Sequence, residues 1–117
     1  MTREPAVFRW DEIALEKVTE MVTRKVIAGT AATVAQVYFK KGTLVPQHAP
    51  EVEAIVYVLQ GAMQFSRPEG DTIVREGEVI VLRSGRPYQV ETLDDTFVLV
   101  VKPERTPAAD RVPPRGA

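Results

Sequence analysis

Short apolar runs, separated by glycine-containing turns, are the feature that most limits how this chain can fold. The runs are rich in β-branched and aromatic residues, which pack well on a pleated sheet. Glycine in the intervening dipeptides, such as Gly61-Ala62 and Gly70-Asp71, accepts the positive φ that hairpin turns need. Strands at this close spacing predict an all-β sandwich or barrel. The predicted strands are residues 22–28, 33–39, 54–60, 63–65, 72–74, 79–82, 88–91 and 96–101.

The two ends of the chain differ from this strand-rich middle. Trp10–Val18 is typical of a short irregular or one-turn helical segment, which is too short to be stable alone. The last residues are rich in proline and poor in apolar side chains, which is typical of an extended tail. A length of 117 residues suits one core. We therefore expect an N-terminal arm over residues 1–20, a barrel over 21–105 and a Pro-rich tail over 106–117.

Composition argues against several classes of function. The 15 basic and 16 acidic residues are scattered, so no broad basic face for nucleic acid is indicated. No apolar run approaches the roughly 20 residues that cross a bilayer, and residues 1–10 lack the apolar core of a signal peptide. The absence of cysteine excludes disulfides and thiol chemistry within this chain. We expect a cytoplasmic protein that binds neither nucleic acid nor membrane.

The single histidine of the chain, His48, lies between two glycines at informative distances. Gly42 precedes it with five residues between them, and Gly61 closes the stretch. This spacing resembles the first motif of the cupin superfamily, in particular the single-domain cupins related to pectin-degradation proteins. The resemblance covers roughly residues 23–105. It implies a small jelly-roll β-barrel of the RmlC-like type.

Most of the metal ligands that the family carries are replaced in this sequence. By the family pattern, a second histidine belongs at Pro50 and a carboxylate or amide at Ala54. The second family motif is similar to residues 77–88, and here Tyr88 stands where the family usually has histidine. One imidazole cannot hold a first-row divalent ion alone. A phenol with an ordinary pKa near ~10 ionises only beside a strong Lewis acid. We therefore expect no metal and no other cofactor.

Charged residues near the two motifs leave one alternative open. A rebuilt metal site could combine His48 and Tyr88 with Glu51 or Glu53. Glu53 is one residue away from the ligand position, so strand alternation directs it away from the site unless a bulge intervenes. Arg105 resembles the arginine that serves the uronate site of the pectin-degradation relatives. Such an arginine could bind a carboxylate in a bidentate manner.

Three functions are compatible with these residues. In the first, the barrel binds a small organic ligand, such as a sugar acid or another metabolite. In the second, the protein is an isomerase or lyase in which His48 and Tyr88 act as acid and base, by resemblance to the metal-free sugar-nucleotide epimerases of the superfamily. In the third, it is a structural or interaction protein whose cavity is filled by Leu99, Val101 and their neighbours. The residues expected to contact a ligand are His48, Pro50, Ala54, Tyr88 and Arg105.

The packing of the barrel and its assembly are predicted less completely. Along residues 33–39, parity alone does not decide which side chains face the interior. The apolar set centred on Val37 is the safer core choice over Gln36 and Tyr38. We also expect a homodimer, because isologous pairs are the commonest soluble oligomers. The N-terminal strand and the C-terminal tail are its candidate contacts.

Overall fold

The computed structural model describes residues 6–104, and the regular secondary structure of this stretch consists almost entirely of antiparallel β-strands. No helix within it is long and apolar enough to cross a membrane. One 3₁₀ turn, Trp10–Glu12, precedes the strands. The strands are β1 (Glu16–Lys17), β2 (Val22–Ala28), β3 (Ala32–Phe39), β4 (Leu44–His48), β5 (Ala54–Gln60), β6 (Ala62–Arg67), β7 (Gly70–Arg75), β8 (Val79–Leu82), β9 (Tyr88–Thr92) and β10 (Thr96–Pro103).

The strands form two sheets whose order departs from the order along the chain. One sheet has the order β1-β2-β3-β10-β5-β8, and the other has β4-β9-β6-β7. The last strand, β10, pairs with both β3 and β5, and β9 lies between β4 and β6. Such long-range neighbours are typical of a jelly roll. The all-β jelly-roll prediction is confirmed, although the described sheets are not hydrogen-bonded into a closed barrel.

The hydrophobic core lies between the two sheets. Val58, Phe65 and Val98 are almost fully buried there, and each buried apolar side chain contributes about 1.5–3 kcal/mol. On β3, Val37 belongs to this core, and its two apolar neighbours of the same parity pack against it. Gln36 therefore lies on the opposite, outer face, as preferred from the sequence.

The N-terminal segment is shorter and more extended than the sequence indicated. The predicted helical turn is present only at Trp10–Glu12, and two of the following residues pair with β2 as strand β1. Lys25 Nζ donates a hydrogen bond to the carbonyl oxygen of Trp10 (2.8 Å), which holds the turn against the sheet. The predicted tail over 106–117 lies outside the described residues, and the division into arm, barrel and tail stays a prediction.

Two turn predictions require correction. Gly61 does not form a hairpin, because β5 and β6 belong to different sheets. It has a φ of 98°, and a Cβ added there would collide with the Asp95 carbonyl oxygen and with Thr96. The β6–β7 hairpin turns at residues 68–69, since Arg67 pairs with Gly70 as the first residue of β7. Glycine marked the boundaries correctly, but sequence could not tell a crossover from a hairpin.

Candidate functional site

Strand β4 is absent from the predicted strands, and it carries the central residue of the site. Its sequence, Leu44–His48, contains a proline and few apolar side chains, so the usual strand signal is weak. Val45 pairs with Val90 and His48 pairs with Tyr88, so three steps along β4 match two steps along β9. This bulge brings His48 to the same face as Val45, where simple alternation would have separated them.

His48 and Tyr88 form the polar pair of the site. The Tyr88 hydroxyl lies 3.4 Å from His48 Nε2, and the ring centroids are 4.8 Å apart. His48 Nδ1 lies 3.3 Å from the carbonyl oxygen of Pro46, an acceptor that favours the tautomer with the proton on Nδ1. In that tautomer, His48 Nε2 accepts a hydrogen bond from the Tyr88 hydroxyl. The structure brings these two side chains into contact, and their joint role in a site stays a prediction.

The two members of this pair differ in their surroundings. Tyr88 is half-buried and packs on Phe65, with ring centroids 5.8 Å apart. Burial raises the pKa of the Tyr88 phenol above its ordinary value, so it stays protonated at neutral pH. His48 is exposed at the rim. The pair therefore offers a neutral hydroxyl and a solvent-accessible imidazole at one point.

A cavity of about 890 Å³ extends from this pair into the space between the sheets. Its walls are mainly apolar, and Phe65, Leu82 and Val98 are among them. Pro50 and Ala54, expected from the sequence as ligand contacts, also line it. The Gly85 amide donates to the carbonyl oxygen of Pro50 (2.8 Å), which fixes the Pro50 loop at the rim. Pro50 and Ala54 thus form part of the cavity wall.

The alternative in which Leu99 and Val101 fill the barrel does not agree with their location. Val98 is buried in the core and Val100 packs against it, so the alternate residues Leu99 and Val101 lie on the outer face of the six-stranded sheet. Val101 is 40% exposed. The interior space beside β10 therefore stays open.

Lys102 is a site residue that sequence reasoning missed. It has the same strand parity as Val98 and Val100 on β10, and its exposed side chain lines the cavity that His48 and Tyr88 also line. The signal was present in strand alternation, because Lys102 has the same parity as two core valines. Arg105, the cation predicted instead, lies outside the described residues, and its contribution stays a prediction.

The residues present do not fit the metal site that the family resemblance implies. Glu53 points away from the cavity, where its carboxylate lies 3.4 Å from the Arg83 guanidinium, so it cannot rebuild the site. Glu51 lines the cavity. Across residues 6–104, no three side chains of the His, Cys, Asp and Glu types are grouped to hold an ion. A protonated phenol is a poor ligand, which leaves His48 without the partners that a divalent ion needs.

The described residues form a two-sheet jelly roll that has polar side chains at the open end of a mainly apolar cavity. The cupin-domain family profile matches residues 35–101, more than half of the chain, and the chain belongs to this family. A search among proteins of curated function finds no match.

Solved structures agree with this family membership. KdgF from Halomonas sp. is 23% identical with a TM-score of 0.78, over 87% of this chain and 97% of that one. The polyketide cyclase RemF from Streptomyces resistomycificus is 21% identical with a TM-score of 0.77, over 90% and 83%. An RmlC-like cupin from Shewanella frigidimarina is 12% identical with a TM-score of 0.78, over 96% and 100%. The TM-scores establish that this chain shares its fold with these proteins.

Proposed function

We propose that this cupin binds a small organic ligand in its inter-sheet cavity, with His48 and Tyr88 as polar contacts and without a metal ion. The observation that carries this proposal is the convergence of the two side chains on one point of a mainly apolar cavity. The cavity volume of about 890 Å³ falls in the range of small-molecule sites. Apolar walls would supply affinity, and the polar pair would orient the ligand.

The donor set supports binding without metal. Pro50 and Ala54 occupy the positions where the family resemblance places ligands, and both add apolar surface to the cavity. The Tyr88 hydroxyl can donate to a carbonyl or hydroxyl oxygen of the ligand, while His48 can accept or donate according to its protonation. Sugar acids and other oxygen-rich metabolites present such groups.

Native mass spectrometry of the purified protein, followed by titration of any released compound, tests this proposal. We expect a small organic molecule to co-purify, and we expect His48→Ala to weaken its rebinding by about tenfold, the value of one lost hydrogen bond of about 1.4 kcal/mol. Gln47→Ala is the matched control, since Gln47 is an exposed neighbour on β4 outside the cavity lining. Stoichiometric transition metal in protein prepared without chelator would contradict the proposal.

A second candidate function is acid–base catalysis of the isomerase or lyase type. The 3.4 Å separation of Tyr88 Oη and His48 Nε2 favours it, because a protonated phenol and an accepting imidazole are the acid and base that such a reaction needs. The similar RemF structure is that of a polyketide cyclase. Turnover of the co-purifying compound or its close analogues, abolished in both His48→Ala and Tyr88→Phe, would select catalysis over binding alone.

We further propose that the protein is a homodimer, formed through the outer face of the six-stranded sheet. Tyr57, Val79 and Phe97 are 40%, 55% and 39% exposed on this sheet. Ile55 pairs with Val81, and both are 40% exposed, so the apolar surface is continuous across strands. A contiguous apolar patch marks an interaction surface, and a two-fold pair covers the same patch twice.

Sedimentation velocity tests this assembly. We expect the wild-type protein to sediment as a dimer and a Val79→Lys variant as a monomer, because a buried, unpaired ammonium is costly. Glu78→Lys, one residue earlier and already charged, is the control and should remain dimeric. A monomeric wild-type protein at micromolar concentration would overturn this proposal.

A further inference from the structure

A cation lies on the opposite wall of the cavity from the polar pair. His48 and Tyr88 belong to β4 and β9 of the four-stranded sheet, whereas Lys102 belongs to β10 of the six-stranded sheet. All three line the same cavity. Facing sheets pack about 10 Å apart, so the ammonium and the polar pair can contact opposite ends of one small molecule.

We propose that the ligand is an apolar carboxylic acid with a hydroxyl or carbonyl group at its far end. Its carboxylate binds Lys102, its apolar body lies between the sheets, and its distal oxygen meets the Tyr88 hydroxyl and His48. This inference rests on the proposed function, since it names the ligand class of the same cavity. It differs from that proposal in assigning charge recognition to Lys102.

The ammonium of Lys102 is available for such a contact. None of the ion pairs among residues 6–104 involves Lys102. Arg83, a second cation near the rim, is engaged with Glu53 on the outside of the cavity. Lys102 is exposed and lines the cavity, so its ammonium can reach the carboxylate of a ligand that lies in the cavity mouth. The lysine stem can pack on the wall while the charge reaches the ligand.

The body of the ligand is specified by the wall between these two ends. Val100 lies next to Lys102 on the inward side of β10, and Phe65 packs under Tyr88. Val56 and Leu82, both buried, continue the apolar surface across the six-stranded sheet. A polyhydroxylated sugar would leave several hydroxyl groups without partners along this wall, at a cost for each buried group. An aromatic or aliphatic body is therefore favoured over a sugar.

Glu51 provides the comparison that shows whether the sign of the charge at Lys102 matters for ligand binding. It lines the same rim as Lys102 with the opposite sign. If the rim recognises cations instead, Glu51 is the residue that matters and Lys102 opposes binding. The two substitutions Lys102→Met and Glu51→Gln each remove one charge with little change of shape, so their effects on an acidic probe distinguish the two cases.

Binding of matched naphthalene probes, measured by isothermal titration calorimetry, tests the inference. The acid is a hydroxynaphthoic acid with its hydroxyl and carboxyl groups at opposite ends of the ring system, and the reference is its primary amide. We expect the wild-type protein to bind the acid about tenfold more tightly than the amide, the value of one charge-assisted hydrogen bond. Lys102→Met should remove this preference without weakening the amide, whereas Glu51→Gln and the exposed-site control Lys41→Met should keep it.

The results of these titrations decide whether Lys102 recognises the carboxylate of the ligand. Equal binding of acid and amide, or a preference that survives in Lys102→Met, overturns the assignment of Lys102 while the cavity remains a ligand site. Loss of the preference in Glu51→Gln also overturns it. Absence of binding by both probes at millimolar concentration, in protein stripped of any co-purified molecule, overturns this inference, whereas the proposed function is decided separately by native mass spectrometry.

Discussion

The two ends of the sandwich differ in how their side-chain hydroxyl groups are hydrogen-bonded. At the closed end, Thr92 is 1% exposed, and its hydroxyl donates to the Lys40 carbonyl oxygen (2.7 Å) and accepts from the Thr43 amide (2.9 Å). At the open end, the Tyr88 hydroxyl has one long contact of 3.4 Å to the exposed His48. The closed end satisfies its polar groups internally, whereas the open end keeps hydrogen-bonding capacity for a ligand.

We expect the hydrogen bonds at the closed end to contribute to stability and those at the open end to contribute to ligand binding. Thr96 is also fully buried at the closed end, and its hydroxyl donates to the Asp94 carbonyl oxygen (2.7 Å). It lies against Gly61, where the chain passes from β5 in one sheet to β6 in the other. Removing such groups takes hydrogen bonds away from buried backbone atoms, which costs free energy. Removing the exposed groups at the open end costs little stability but changes what the cavity can bind. The following predictions test that division.

The largest expected effect is at the closed end. Gly61→Ala should lower the free energy of unfolding by about 3 kcal/mol, because the added Cβ collides with Asp95 and Thr96 and the positive φ is strained. Urea unfolding followed by circular dichroism measures this change. Gly77→Ala is the control, since its φ is also positive but nothing lies within 4 Å of the new Cβ. Equal losses in both variants would mean that backbone strain alone explains the cost.

The next effect tests the buried hydroxyl. Thr92→Val should lower the free energy of unfolding by about 1 kcal/mol, since the Thr43 amide loses its 2.9 Å contact and keeps only the 3.2 Å contact with the Lys40 carbonyl oxygen. Ligand affinity should be unchanged. Thr33→Val is the control, because its hydroxyl makes only a 3.5 Å contact near the surface. If both substitutions had the same effect, the closed end would owe no stability to its hydrogen bonds.

At the open end the order of effects should reverse. Tyr88→Phe should change the free energy of unfolding by less than about 1 kcal/mol and weaken binding of the hydroxynaphthoic acid by about tenfold. The ring still packs on Phe65, so only the hydroxyl contact is lost. Calorimetric titration and urea unfolding on the same samples measure both quantities. A large loss of stability with unchanged affinity would assign Tyr88 to the scaffold.

The smallest effect concerns alkaline pH. Because burial raises the pKa of Tyr88, the folded state holds this proton more tightly than the unfolded state. Its contribution to stability is complete below the ordinary tyrosine pKa of about 10 and is lost as pH rises through the higher folded value. Wild type should therefore lose stability at high pH more steeply than Tyr88→Phe. Parallel stability curves for the two proteins would show that burial does not shift this group.

A spectrophotometric titration distinguishes Tyr88 from the second shifted tyrosine. Burial and the nearby Asp95 raise the pKa of Tyr38, which lies on the outer face of the other sheet. Tyr88→Phe should remove one of two late-ionising phenols, and Tyr38→Phe should remove the other. Loss of no late component in Tyr88→Phe would contradict the raised pKa at the open end.

Sequence pattern was sufficient for the fold where neighbouring residues carry the information. Alternation of apolar and polar residues placed most strands, and the preference for Val37 as a core residue is confirmed. It also directed Glu53 away from the site, as its contact with Arg83 shows. The same alternation pointed to Lys102, but its location after a predicted strand end obscured this signal. Local pattern therefore identified elements better than it identified the site.

What the sequence by itself determined is an all-β cupin fold, with His48 and Tyr88 named as candidate site residues. Tertiary structure alone decided that these two groups meet, because the bulge between Val45 and His48 resets which side chains face inward. It also decided that β5 crosses to the other sheet at Gly61 rather than turning back. The physical reason is that bulges and crossovers depend on the register between strands far apart in sequence, and no local window of residues contains that register.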